Sequence, residues 1–250
     1  MDTIEKQLHI ASQYLAAAGI SFLPKKEDDS HTNLGFNPEE AILETHSLSD
    51  ANDKLILNYK NFSLEWRSDA VSKVIDLDGA THKGLVEWIS SNSREFINKE
   101  YSYKFHYELP YSIDDDFIFK LSDVEDLSEM MHLRILAQFI LERIDIHYNL
   151  NTSIRIWPHH FDTGIYSLIP DSHITVGLGL AIPDSLCENH YLYITGYKGG
   201  QAIDPSGLES LTIGDWKSNG FKGAILDARG IVEADGVKFF KEVISQLQAV

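Results

Sequence analysis

The sequence predicts an α+β fold, a largely antiparallel sheet packed with a long central helix and a C-terminal helix. Three observations point there. Apolar residues recur with a 3.6-residue period in four separated segments, strand-like runs gather before and after single helices instead of alternating with them, and the second half carries five such runs followed by one helix. No internal repeat is evident.

Ile4, Leu8, Leu15 and Ala18, with Ala11 between, mark an amphipathic helix, and Gly19 follows where a left-handed stop is wanted. Residues 25–37 are polar and hold Asp28, Asp29, Ser30, Asn33 and Gly35, the composition of a mobile loop. Residues 54–59 and 62–66 flank Lys60-Asn61 as a β-hairpin, and residues 71–77 add a strand. Leu85, Val86, Ile89, Phe96 and Ile97 give a second helix over residues 81–98. Residues 101–107 alternate aromatic with polar side chains and read as a strand with one wet face. Asp114-Asp115-Asp116 lacks calcium-loop spacing and is expected to be a solvated turn.

Over residues 122–148, Met130, Leu133, Ala137, Ile140 and Ile144 share a helical face, with Leu127, Met131, Ile135 and Phe139 beside it. So broad an apolar surface predicts a helix packed on more than one side, joining two halves. The second half then reads as strands at residues 153–157, 160–168, 173–181, 191–197 and 223–227, and a final helix over 233–248. The expected organisation is an N-terminal α/β lobe, residues 1–121, and a C-terminal lobe, residues 122–250, able to share one compact domain.

A net charge of -17, from 38 acidic and 21 basic residues, disfavours nucleic-acid phosphates and anionic membranes. The first six residues lack the order of a signal peptide, and no run approaches the roughly 18 apolar residues of a membrane span. With a single cysteine, Cys187, these features lead us to expect a cytoplasmic protein. Asp184 and Glu188 near Cys187 make it a poor thiolate nucleophile.

Candidate chemistry concentrates in Trp157-Pro158-His159-His160-Phe161-Asp162, two imidazoles, a carboxylate and two aromatics between strand-like segments. There is no G-x-S-x-G elbow, phosphate loop or H-E-x-x-H helix, and the cofactor, if any, is unknown from the sequence. Tyr197-Lys198-Gly199-Gly200 reads as a turn, and Glu142, Asp145 and His147 as the solvated end of a helix.

Trp157, Pro158, His160, Phe161 and Asp162, then Gly177 and Gly179, then Pro183, Tyr191 and Tyr193 form a pattern that resembles the DUF5996-like family with its W-P-x-H-F-D motif. The resemblance runs from about Leu109-Pro110 to the final helix and is weakest in the first hundred residues. Two departures are His159, where the family often carries a carboxylate, and a proline turn, Ile182-Pro183-Asp184-Ser185, poorer in glycine. The family has no known activity, so the resemblance implies a site here without naming its chemistry.

A hairpin pairing Leu168 with His173 would set Asp162 opposite Gly179 and His160 opposite Ala181, with His160 and Asp162 on one face. His173 would then lie roughly 20 Å from Asp162 at the usual strand rise. Pairing Ala181 with Tyr191 brings Tyr191 and Tyr193 to the same face. The expected role is binding of a small polar ligand by His160, Asp162, Tyr191 and Tyr193, with Asp162 orienting His160 and the phenols donating to the ligand. Catalysis by His160 and Asp162 is left open. A metal-dependent hydrolase would instead use His159, His160 and Asp162, which requires a turn or bulge at Pro158 because adjacent strand residues point apart. A scaffold or interaction protein would carry the same residues as a structural cluster with no active site.

Overall fold

The computed structural model describes residues 3–250, so the part of the N-terminal leader expectation that falls on Met1 and Asp2 lies outside the described residues. The described residues form four helices and two antiparallel sheets, an α+β fold as the sequence predicts. They divide into two compact units, one running to His132 and including Ile156–His159, the other Leu133–Arg155 with His160–Val250. Among the described residues no helix is long and apolar enough to cross a membrane.

The first unit is built around α1 (Ile4–Phe22), capped by Thr3, whose hydroxyl accepts from the Lys6 amide. The helix does not stop at Gly19 and is not simply amphipathic, since most of its residues, polar ones included, are buried. Gly19 serves close packing, because a Cβ there would stand 2.5 Å from the His31 carbonyl oxygen. The buried polar groups find backbone partners. Gln7 exchanges two bonds with Lys120, at 2.8 Å to its carbonyl and 2.6 Å from its amide.

Five strands, β1 (Gly35–Asn37), β2 (Ile42–Glu44), β3 (Lys54–Asn58), β4 (Ser63–Arg67) and β5 (Ser72–Asp76), form a meander in chain order. The β3–β4 hairpin and β5 agree with the sequence reading. β1 corrects it, because part of the segment taken as a mobile loop pairs with β2 and His31 to Leu34 are buried. α2 (His82–Ile97) begins after its cap Thr81 and ends at Asn98 in the left-handed region, matching the predicted span. Asp114 to Asp116 form an exposed turn.

Residues 101–107 are not a strand. Their alternating aromatics pack against one another instead of beside a partner strand, with Tyr103 and Phe105 centroids 4.9 Å apart and Phe105 and Tyr107 5.2 Å apart. Alternation reports an extended chain with one apolar side, and such a chain needs a ladder partner to become a strand.

α3 (Val124–Tyr148) contains the division between the units. β6 (Arg155–Trp157) falls mostly in the first unit. In the second unit β7 (Asp162–Leu168), β8 (Ile174–Ala181), β9 (Tyr191–Lys198), β10 (Gln201–Ala202), β11 (Asp215–Lys217) and β12 (Gly223–Asp227) form an antiparallel sheet ordered β11-β12-β9-β8-β7, with β10 on β9. α4 (Glu233–Gln248) closes the chain.

Strand alternation sends Ile165, Val176, Leu178, Leu180, Leu192 and Ile194 to one core with Ile140 and Ile144 of α3 and Phe240 and Ile244 of α4. Each such aliphatic or aromatic side chain contributes about 1.5–3 kcal/mol on burial. α3 is covered less fully than expected: Phe139 is 41% exposed and Ile146 73%. The opposite sheet face carries the tyrosines and glycines of the candidate site.

Candidate functional site

The site is set by a turn. β7 starts at Asp162 and not at His160, because Phe161 has φ 58°, a left-handed value that a strand cannot contain. His160 therefore lies exposed in the turn, and the expected shared strand face with Asp162 does not form. In the first unit, the Pro158 carbonyl stands 2.7 Å from His9 Nε2 and accepts from Gln13 Nε2 at 2.8 Å. The His159 ring packs 5.6 Å from Tyr107 and 6.2 Å from Trp157.

Phe161 pays for its backbone conformation, of order 1–3 kcal/mol, with contacts to Arg134. The guanidinium donates through Nη2 to the Phe161 carbonyl and through Nη1 to Thr163 Oγ1 at 2.6 Å. It also sits 4.2 Å from the Phe161 ring centroid. Phe161 is 2% exposed and Arg134 6%. Arg134 escaped the sequence reading, although Leu127, Arg134 and Leu141 recur every seven residues on the buried stripe of α3, where a charge is out of place.

The β7–β8 hairpin pairs Leu168 with Thr175, not with His173. The Ile169 amide bonds to the Ile174 carbonyl at 2.9 Å, so the loop takes in Pro170 to His173, with Asp171 left-handed. The register is displaced by two residues, which keeps every side chain on its expected face. His173 stays in the loop at the far end of the hairpin from Asp162. β8 and β9 pair Ala181 with Tyr191 as expected.

Gly164, Gly179 and Tyr193 now form one cross-strand row. Tyr193 lies across the two glycines and donates to Asp162 Oδ2 at 2.5 Å. The path requires bare backbone: a Cβ on Gly164 would lie 2.9 Å from the Tyr193 hydroxyl, and one on Gly179 would lie 2.0 Å from the Thr163 carbonyl. Asp162 Oδ1 is buried and has no hydrogen-bond partner. Tyr191 reaches the same face but donates to Asp184 Oδ2 at 2.8 Å. Both phenols, expected to point at a ligand, are thus engaged with carboxylates of the protein.

Burial first, and then the Asp162 carboxylate, push the Tyr193 hydroxyl well above its ordinary range. Burial and the bond to Asp184 do the same for Tyr191. Both remain O–H donors. On the helix side of the sheet, His190 is pushed from 6.5 down to about 4, first by burial and then by the Arg134 charge. It is neutral at physiological pH.

Among the described residues no group of three or more His, Cys, Asp or Glu side chains is placed to hold a metal, so the set His159, His160 and Asp162 does not assemble. The turn at Pro158 exists, but it leaves the His159 ring among Trp157 and Tyr107. In the first unit, a surface depression of about 600 Å³ is lined by residues including Phe22, Leu48, Ile97 and Lys99, and Lys99 donates to the Phe22 carbonyl. Comparison with protein-family models, curated proteins and solved structures gave no match to this chain.

Proposed function

We propose that the second unit binds a small polar ligand at Asp162, through a ligand N–H or O–H donated to Oδ1. The observation that carries this reading is the asymmetry of the carboxylate: Oδ2 is held by Tyr193, while Oδ1 is buried with no donor. An unsatisfied buried acceptor costs about 1–3 kcal/mol, which a ligand donor recovers. Tyr193 fixes the carboxylate, the Tyr191–Asp184 pair borders it on β9, and His160 lies exposed in the turn just before it. The reading is one of binding, with donor-bearing neutral or cationic ligands favoured. It takes the protein as soluble and cytoplasmic, supported by the acidic charge and single cysteine.

The test is a titration of the protein with small amines, amides and polyols, followed through the ring resonances of Tyr191 and Tyr193. At least one class should shift the Tyr193 signals saturably, and Asp162→Asn should abolish the response. Saturable shifts elsewhere with none at Tyr193 would overturn the assignment.

A further inference from the structure

On the other face of the same strand ends, two polar side chains of α3 stand one helical turn apart and are more than nine-tenths buried: Arg134, 6% exposed, and Gln138, 8% exposed. Neighbours at this spacing have Cβ atoms about 5–6 Å apart. Neither side chain has its polar capacity filled. Arg134 has five N–H donors, and its bonds go to Thr163 Oγ1 and the Phe161 carbonyl. Among the described residues no carboxylate pairs with it, in a chain with 38 acidic residues. Buried charges are normally paired, since an isolated one is costly to desolvate.

Gln138 supplies an independent observation. Its Nε2 donates to Glu142 Oε1 at 2.8 Å, while its Oε1 is buried with no hydrogen-bond partner. Reversing the amide does not cure this, because a carboxylate oxygen of Glu142 only accepts and would then face the amide oxygen. The orphan acceptor and the uncompensated cation therefore occur together on consecutive turns. The Arg134 charge also bears on His190, which is only partly buried. Asp162 does not oppose it from this side: strand alternation sends that carboxylate to the face of the tyrosines.

We propose that Arg134 and Gln138 form a second binding site, for an oxyanion that also carries a hydrogen-bond donor. The anionic oxygens take the unused guanidinium N–H groups, and the donor satisfies Gln138 Oε1. Hydrogen phosphate and α-hydroxy carboxylates have both features. Sulfate and acetate have only the first. This site does not depend on the Asp162 reading, since the two are read out at different residues.

The test uses the wild-type protein, titrated at constant ionic strength and neutral pH with inorganic phosphate, glycolate, sulfate and acetate. The readout is the Arg134 Nε–H resonance. Phosphate and glycolate should shift it saturably, binding roughly tenfold tighter than sulfate and acetate respectively, a factor within reach of one hydrogen bond. The phosphate and glycolate arms separate a phosphoryl from a carboxylate ligand. Gln138→Leu should remove the preference for donor-bearing anions while retaining binding. No saturable shift with any of the four anions, equal affinity for both kinds, or a preference that survives Gln138→Leu would overturn the proposal.

Discussion

Tyr193 of β9 reaches across β8 to Asp162 of β7, its hydroxyl 2.5 Å from Oδ2, over a lane kept bare by Gly179 and Gly164. The bond ties the strand ends of the second sheet together, and it is the only hydrogen bond the Asp162 side chain receives among the described residues. Tyr193→Phe would leave both carboxylate oxygens without a donor. The expected cost is about 1–3 kcal/mol, the penalty for an orphaned buried acceptor. Urea denaturation with an unchanged m-value measures it.

The two inner glycines of β8 should respond differently to alanine although they share a face. A Cβ on Gly179 would meet the Thr163 carbonyl at 2.0 Å, backbone that cannot swing aside, whereas one on Gly177 would meet the Tyr166 ring at an ordinary 3.5 Å. Gly179→Ala is expected to destabilise by about 2 kcal/mol or more, and Gly177→Ala to stay within about 0.5 kcal/mol of wild type. Thermal unfolding of the pair decides this.

Arg134→Met removes both bonds that hold the turn before β7 and the cation over the Phe161 ring. Loss of about 2–4 kcal/mol is expected, since two buried hydrogen bonds to the guanidinium and the cation–π contact that support a left-handed turn are lost together. The same change should raise the His190 pKa, because the Arg134 charge is one of the two causes holding it down. A histidine titration by NMR reads that effect in any variant that folds.

His190 also gives the stability an acid limb. Its folded pKa, about 4, lies below the ordinary 6.5, so between these values the unfolded chain binds a proton that the folded chain refuses. Stability is fully present above the unfolded value and falls as pH drops from about 6.5 toward 4. His31 and His82, also lowered mainly by burial, act in the same direction. Denaturation across this window should show a shallower acid slope for His190→Gln than for wild type.

Much of the fold was legible because local chemistry and tertiary packing agree there. The apolar period of Leu85, Ile89 and Phe96 marks α2, which Thr81 and Asn98 cap as the period predicts, and Ala181 pairs with Tyr191 as expected. The β7–β8 register was off by two because the four-residue loop sits one position further along, at Pro170 to His173 instead of Ile169 to Ser172, as the Ile169–Ile174 bond selects. Face assignments survived that slip since side chains alternate every two residues. His160 was misplaced for another reason: the left-handed Phe161 depends on Arg134, distant in sequence, and no local propensity announces it. The full burial of α1 was likewise hidden, because Gln7, His9 and Gln13 look like a wet face until their backbone partners are known.

If Asp162 is kept for binding and not for stability, equilibrium unfolding of Asp162→Asn should reveal it. The asparagine keeps the shape and can still accept from Tyr193, while the charge of a half-buried carboxylate whose Oδ1 has no donor is removed. A stability within about 1 kcal/mol of wild type, or higher, is predicted. A loss of more than about 2 kcal/mol would make Asp162 a structural tie and not a binding group.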